Sequence, residues 1–302
     1  LLGAVALAAL FGLAPFVLYP VFVMKVMCFA LFAAAFNLLI GYVGLLSFGH
    51  AAFFGTGAYL AAHAAKVWGL DPLLSVLVGA AAGAALGLAI GYLAIKRKGI
   101  YFSMITLALS QMVFFIALQA PFTGGEDGIQ GIPRGMLFGV VDLGQPLAMY
   151  LLVLAIFLFG MFALWRIVHS PFGQILKAIR ENEPRAISLG YDVARYKLIA
   201  FVISAGLAGA AGGAKSLVFQ LASLTDITWQ MSGEVILITL LGGIGTMLGP
   251  VAGAIIVITL ENYLATFDFP VTVLIGAIFV ACVLLFRRGV VGEVEHWLRR
   301  RR

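Results

Sequence analysis

The amino-acid sequence predicts an all-α polytopic membrane protein of about ten transmembrane helices, with both termini cytoplasmic. Three observations carry that prediction. Hydrophobic types make up 63% of the 302 residues and charged types only 11%, against roughly 45–50% and about 25% in soluble proteins. So few ionised side chains cannot clothe a soluble surface. Ten stretches are apolar over the about 20 residues that a helix needs to cross a hydrocarbon layer about 30 Å thick. The basic residues also segregate. Lys96, Arg97 and Lys98 form one cluster, Arg166, Lys177, Arg180, Arg185, Arg195 and Lys197 a second, and Arg287, Arg288 and Arg299 to Arg302 a third, together 15 of the 19 Lys and Arg. Alternation through ten spans puts all three on one side, and an excess of Lys and Arg marks that side as cytoplasmic.

The spans run at about 1–19, 22–41, 47–66, 73–95, 100–120, 147–168, 198–220, 230–247, 249–265 and 270–286. The chain opens at Leu1 with neither Met nor a basic leader, so the numbered sequence is expected to lack its natural start. Its first run is read as a transmembrane helix, because it is long and no small-residue cleavage site precedes a polar region. The third span, around Gly49, Gly55 and Gly57, is expected to be broken or re-entrant. Spans eight and nine are separated only by the Gly/Pro stretch Gly242 to Pro250. The loops on the other side carry Asp71, Glu126, Asp127, Asp142, Asp226 and Asp268 with few basic residues. The whole chain, 1–302, reads as a single transmembrane domain with a cytoplasmic loop at about 169–197 and an extracytoplasmic loop at about 120–146.

Glycine is unusually frequent, with 36 residues. Gly79, Gly83, Gly87 and Gly91 recur every fourth position, which stacks them on one helical face for close backbone packing. The density around Gly41 to Gly57 and around Gly242 to Gly253 exceeds what packing requires, and points to helices interrupted near a path through the bundle.

The loop between spans six and seven is patterned rather than slack. Phe172, Ile175, Leu176 and Ile179 follow i, i+3, i+4, i+7, the stripe of an amphipathic helix, with Lys177, Arg180 and Glu181 on its other side. A second short helix reads from Pro184, with Glu183 before it and Gly190 as its stop. Two short helices at an angle make either a docking knob or a basic surface resting on anionic lipid. The Arg299 to Arg302 tract reads as a positive-inside anchor, and the acidic tip Thr123 to Gly128 as a docking surface or an ordered cap.

Several chemistries are excluded. The net charge of +6 lies in clusters rather than along a binding face, so nucleic acid is not an expected partner. Cys28 and Cys282, both in apolar runs, make no disulfide framework. The nearest approach to a phosphate-binding loop, Gly209 to Ser216, has Ala214 before Lys215 and lies inside an apolar span. His50, His63, His169 and His296 form no metal motif, and no G-x-S-x-G elbow occurs. An intramembrane enzyme would need a buried nucleophile–base pair that the sequence does not offer.

Polar residues inside spans are costly and tend to face a bundle interior or a water-filled path. Asn37 ends span two and His50 opens span three. Ser103, Thr106 and Ser110 form a stripe on span five with Gln111 beside it, and Glu234 lies near the outer end of span eight. These are the candidate translocation-path residues, with backbone capping and helix–helix hydrogen bonding as the competing explanation.

Four segments then resemble one family. They are Asn37 to Tyr59 (NLLIGYVGLLSFGHAAFFGTGAY), Thr123 to Pro133 (TGGEDGIQGIP), Ala178 to Tyr191 (AIRENEPRAISLGY) and Leu240 to Pro250 (LLGGIGTMLGP). In this order they resemble the permease subunits of bacterial branched-chain amino-acid ABC importers, in particular the LivM type. The resemblance implies a non-enzymatic permease of the bacterial inner membrane that forms half of a translocation path. It would pair with a LivH-type permease, two cytoplasmic ATPases and a periplasmic binding protein, in contact with membrane lipid. ATP and Mg²⁺ would be used by the ATPases, with no cofactor on this chain. It also implies that Ala178, Arg180, Glu181, Asn182, Glu183, Ala186, Leu189 and Gly190 form the loop that couples to the ATPases. Related permeases carry urea, amides or aromatic acids. An ion-coupled secondary transporter is the alternative machine, weakened because Glu234 and Glu261 sit toward span ends.

Overall fold

A computed structural model describes residues 11–12, 14–16, 19–139, 141–264, 276, 280 and 289–293. The expected tenth span and the Arg299 to Arg302 tract, with most of the first span, lie outside or largely outside those residues, as do Arg287 and Arg288 of the third basic cluster. Among the described residues there are ten α-helices: α1 Pro20–Asn37, α2 His50–Lys66, α3 Pro72–Ala94, α4 Ile100–Gln119, α5 Pro146–Val168, α6 Pro171–Glu181, α7 Glu183–Ser188, α8 Val193–Phe219, α9 Trp229–Gly242 and α10 Gly249–Leu264. Five helical segments are long and apolar enough to cross a membrane: Pro20–Val43, Pro72–Ala94, Ile100–Gln119, Pro146–Val168 and Val193–Phe219. The protein is a multi-pass, predominantly helical membrane protein.

Interruptions occur beside both glycine clusters, but the third span is not broken around Gly55 and Gly57: α2 is continuous through them, and the break precedes it. α1 runs on into a wider π-helical turn, Leu38–Val43, that stops at Gly44 with φ +80°. The chain then leaves the helix, and α2 begins at His50, three residues later than the apolar run. The expected span 230–247 is likewise cut short. α9 holds 14 residues and α10 holds 16, about 21 and 24 Å of helix, less than the roughly 30 Å of hydrocarbon. Between them Gly243 and Gly245 take φ +121° and +76°, which β-carbon sterics make costly for other residues.

α8 is the hub, packed against α3, α2 and α1. Its contact with α3 is built on the four-residue glycine stripe. A β-carbon built on Gly83 would lie 2.6 Å from the Ala205 carbonyl oxygen, and one on Gly209 of α8 would lie 2.5 Å from the Gly79 carbonyl oxygen. α1 is the most enclosed helix, buried on every face, whereas α3 and α4 turn most of their surface outward.

At one end of the bundle the first two basic clusters meet: Lys98 and Lys197 both bond Glu183. At the opposite end the 120–146 segment is not wholly irregular. β1 Ile129–Gln130 pairs antiparallel with β4 Leu221–Ala222, and β2 Met136–Leu137 pairs with β3 Val141–Asp142. Among the described residues these two-residue ladders are the only strands, and they satisfy backbone groups where the loop folds onto the bundle.

Candidate functional site

The knob is built by three caps. Ser170 accepts from the Gly173 amide (3.3 Å) to start α6, Asn182 accepts from the Arg185 amide (3.1 Å) to start α7, and Asp192 accepts from the Arg195 amide (3.1 Å) to start α8. Each supplies an acceptor for an amide that the first turn leaves without a helical partner. The α7 cap is therefore Asn182, one residue before the expected Glu183, and Gly190 ends the turn with φ +87°. The apolar stripe of α6 turns inward as its spacing predicts: Leu176 and Ile179 are buried, with Phe172 and Ile175 packed beside them. Ile179, Ala186 and Val193 form a small core of their own, so the knob is a packed unit.

Glu183 fastens this unit to the bundle. Its carboxylate lies 3.0 Å from Lys98 Nζ and 3.0 Å from Lys197 Nζ. Partial burial pushes its pKa up, but the hydrogen bonds and charges of Lys197 and Lys98 outweigh burial and hold it below the ordinary carboxylate value. The outward surface of α7 and its C-cap carries two exposed apolar side chains, Ile187 at 53% and Leu189 at 67%, beside the exposed Arg185 and Ser188. Ala178, Glu181, Asn182 and Gly190 are exposed around it, whereas Ala186 is buried beneath.

The underside of α6 meets both interruptions. Arg180 and Lys177, expected to project away from the apolar stripe, turn toward the π-helical end of α1. Lys177 Nζ lies 5.8 Å from the Tyr42 ring centre, and Arg180 Nη1 donates to the Gly41 carbonyl. The Arg180 side chain passes against Gly44, and its guanidinium borders Gly245. Asn37 ties the two breaks together, accepting from the Gly245 amide (2.9 Å) and donating to the Thr246 carbonyl (2.8 Å). Gly41 has to be glycine: a β-carbon there would lie 2.7 Å from the Gly245 nitrogen.

The remaining polar candidates divide. Ser103 donates to the Leu46 carbonyl (2.6 Å) and Thr106 accepts from the Phe48 amide (3.2 Å), so the stripe on α4 supplies partners to backbone that left the helix. Ser110 donates within its own helix to the Leu107 carbonyl (2.8 Å). His50 is fully buried among Phe32, Phe36 and Phe53, with Nε2 3.2 Å from Ser204 Oγ. Gln111 Nε2 and Glu234 Oε1 are buried without a hydrogen-bond partner among the described residues.

Sequence reasoning passed over two charge pairs. Lys25 lies 3.5 Å from Glu261, and Lys215 grips both carboxylate oxygens of the buried Asp226 at 2.7 and 2.8 Å. A lysine inside an apolar run was the available signal for each. No group of three or more His, Cys, Asp or Glu among the described residues is placed to hold a metal ion.

A profile of the family described as the permease component of the branched-chain amino acid transport system matches residues 21–286. The chain belongs to this family. The permease is similar to the high-affinity branched-chain amino acid transport system permease protein LivM of Salmonella typhimurium, 27% identical over 291 residues, covering 87% of this chain and 67% of that protein. The LivM protein of Escherichia coli K12 matches with the same identity and coverage. The ribose import permease protein RbsC of Bacillus subtilis is 29% identical over 255 residues, 77% of this chain and 75% of its own length. No solved structure gives a significant match. The matched region holds α1 to α10, and therefore the knob and both interruptions.

Proposed function

We propose that this permease is the LivM-type membrane subunit of an ABC importer in the bacterial inner membrane, with branched-chain amino acids as cargo. It is a single transmembrane permease domain in which residues 169–197 form the ATPase-coupling loop and 120–146 the extracytoplasmic loop. It forms half of the translocation path beside a LivH-type permease. Two cytoplasmic ATPases use ATP and Mg²⁺, and a periplasmic binding protein delivers substrate.

The observation that carries this reading is the knob. It is capped at every start, has its own small core, is pinned by Glu183 to two lysines, and offers Ile187 and Leu189 to solvent. A basic helix resting on lipid would not need that rigidity, whereas a lever pushed by a partner does. Within the bundle, His50, Gln111 and Glu234 are the candidates for the path, because each has a buried polar atom without a hydrogen-bond partner among the described residues, and such atoms are the ones left to meet water or substrate.

The test is co-purification. Tagged permease, co-expressed with the ATPases and second permease encoded beside it, is expected to bring the ATPases with it. Leu189→Arg and Gly190→Arg, which alter the exposed surface of the knob, are expected to lose them while the permease still reaches the membrane. Nucleotide-independent uptake by the permease alone would favour a secondary transporter. Family likeness extends to ribose import, so cargo is settled separately, by uptake competition among branched-chain amino acids, urea, amides and aromatic acids.

A further inference from the structure

The two places where the bundle backbone can pivot, Leu38 to Gly49 and Gly243 to Leu248, are more than 190 residues apart in the chain, yet they touch. Gly41 lies against Gly245, and Asn37 stitches them with a pair of hydrogen bonds in which one amide side chain both gives and receives. Among the described residues, α6 reaches this junction with Arg180, while Lys177 lies over the Tyr42 ring beside it. Arg180, from the last turn of α6, donates to the Gly41 carbonyl, lays its aliphatic stem on Gly44 and sets its guanidinium beside Gly245.

We infer that Arg180 is the positioning residue that carries movement of the knob into the bundle, by joining α6 to both glycine breaks at once. The argument rests on three features. Both breaks hold glycines at positive φ, Gly44 on one side and Gly243 and Gly245 on the other, where rotation is sterically open. The breaks begin or end α1, α2, α9 and α10, so a small rotation there is delivered to four helices, one of them the enclosed α1. The exposed Ile187 and Leu189 belong to α7 and its C-cap, whereas the contact with the breaks is made from α6, and the two helices share one small core, so a push on one is carried by the other. A guanidinium suits this post because its fixed fork holds its donors in one plane, which a lysine cannot do. The elements are contiguous and physical, which is what coupling between distant sites needs before a route can be assigned.

This inference rests on the proposed docking of ATPases at the knob, and the experiment separates the two. The complete complex in nanodiscs is followed by hydrogen–deuterium exchange, with and without ATP and vanadate, for the wild type, Arg180→Ala, Arg180→Lys and Gly41→Ala. In the wild type, 183–191 is expected to be protected by the ATPases, and nucleotide is expected to change exchange at 38–49 and 243–248. In Arg180→Ala the knob protection stays, while the nucleotide response at the breaks falls by about 2- to 30-fold, the range that mutations along a coupled network produce. Arg180→Lys is expected to recover part of it, which a merely structural role would not predict. Gly41→Ala prises the breaks apart while leaving every knob residue in place, and is expected to lose the response as well, which keeps the idea testable if Arg180→Ala is poorly folded.

An unchanged response in Arg180→Ala and Gly41→Ala overturns the inference. Loss of knob protection in a well-folded Arg180→Ala also overturns it, by making Arg180 a docking residue. Absence of knob protection in the wild type overturns the docking proposal itself.

Discussion

Two glycine-rich regions of this bundle do opposite work. In α3, Gly79, Gly83, Gly87 and Gly91 lie in unbroken helix at negative φ, and each faces the backbone or side chains of α8 or α2 at close range. Around Gly44 and Gly243 to Gly245 the glycines sit at positive φ where helices stop. The stripe lets two helices approach and locks them together. The breaks let helices end inside the protein, and they oblige other residues to satisfy the freed backbone: Ser103, Thr106 and Asn37 do so. The difference teaches that glycine abundance in a membrane chain is ambiguous until spacing is read. The strict period of four marks packing, whereas the irregular clusters hold both kinds: Gly57 packs inside unbroken α2, and only the positive-φ glycines mark the breaks.

The largest effect that would sharpen this contrast is expected in the stripe. Gly83→Leu places a β-carbon 2.6 Å from the Ala205 carbonyl oxygen and 3.0 Å from the Gly209 α-carbon, with backbone on both sides and nothing flexible to yield. Overpacking of that kind costs about 3 kcal/mol or more where the helices cannot separate. Thermal unfolding in detergent is expected to show a strongly lowered midpoint. A midpoint within a degree or two of the wild type would mean that the α3–α8 contact is looser than its geometry.

At the breaks the expected cost is smaller and local. Asn37→Ala removes both hydrogen bonds to Gly245 and Thr246 and leaves a half-buried amide and carbonyl without that partner, worth about 1 kcal/mol. Exchange is expected to rise at 243–248 and 38–44 and to stay unchanged in α3. Uniform loosening of the whole bundle would show that the two regions are not energetically separate.

Below this comes the pH dependence of the knob. The Glu183 carboxyl is held below its ordinary value of 4.5 in the folded protein. Folding therefore favours its ionised form, and the stabilisation is complete above that value and is lost as pH falls below it. Exchange at 183–197 is expected to rise on acidification through this window, and Glu183→Gln is expected to remove the dependence while weakening the attachment at neutral pH. A transition at the same pH in Glu183→Gln would assign it to another group.

How much of this was legible follows from the range of each contact. The knob could be read because its signals are local: the stripe Phe172, Ile175, Leu176 and Ile179, Pro184 early in the second helix, and Gly190 after it. Glycine clustering pointed to the neighbourhood of both interruptions, but not to the position of the first, which lies at Gly44 rather than at Gly55 or Gly57. The partners were not. Asn37 and Gly245 are separated by 208 residues, Ser103 and Leu46 by 57, and helical periodicity carries no information across such distances. For the same reason the polar stripe on α4 suggested a path, while the contacts show what it also does, which is to hold the α1–α2 break. Arg180 was picked out as part of the coupling loop, but its direction, toward the spans, depends on how α6 lies on them. Lys25 and Lys215 were visible as charges in apolar runs, and only their partners Glu261 and Asp226 give them meaning.

The smallest effect tests the rule itself. Gly233 lies in α9, takes no positive φ, and a β-carbon there would meet nothing within 4 Å. It belongs neither to a packing stripe nor to a break, so its only contribution is the backbone freedom it costs on folding. Gly233→Ala is expected to stabilise the protein by about 0.4–1 kcal/mol through that lost freedom, seen as a slight rise in the unfolding midpoint with the exchange pattern at 243–248 unchanged. A fall in stability would mean that α9 needs space at this point for the second permease. The contrast between packing and interrupting glycines would then require a third class, glycines kept open for a partner.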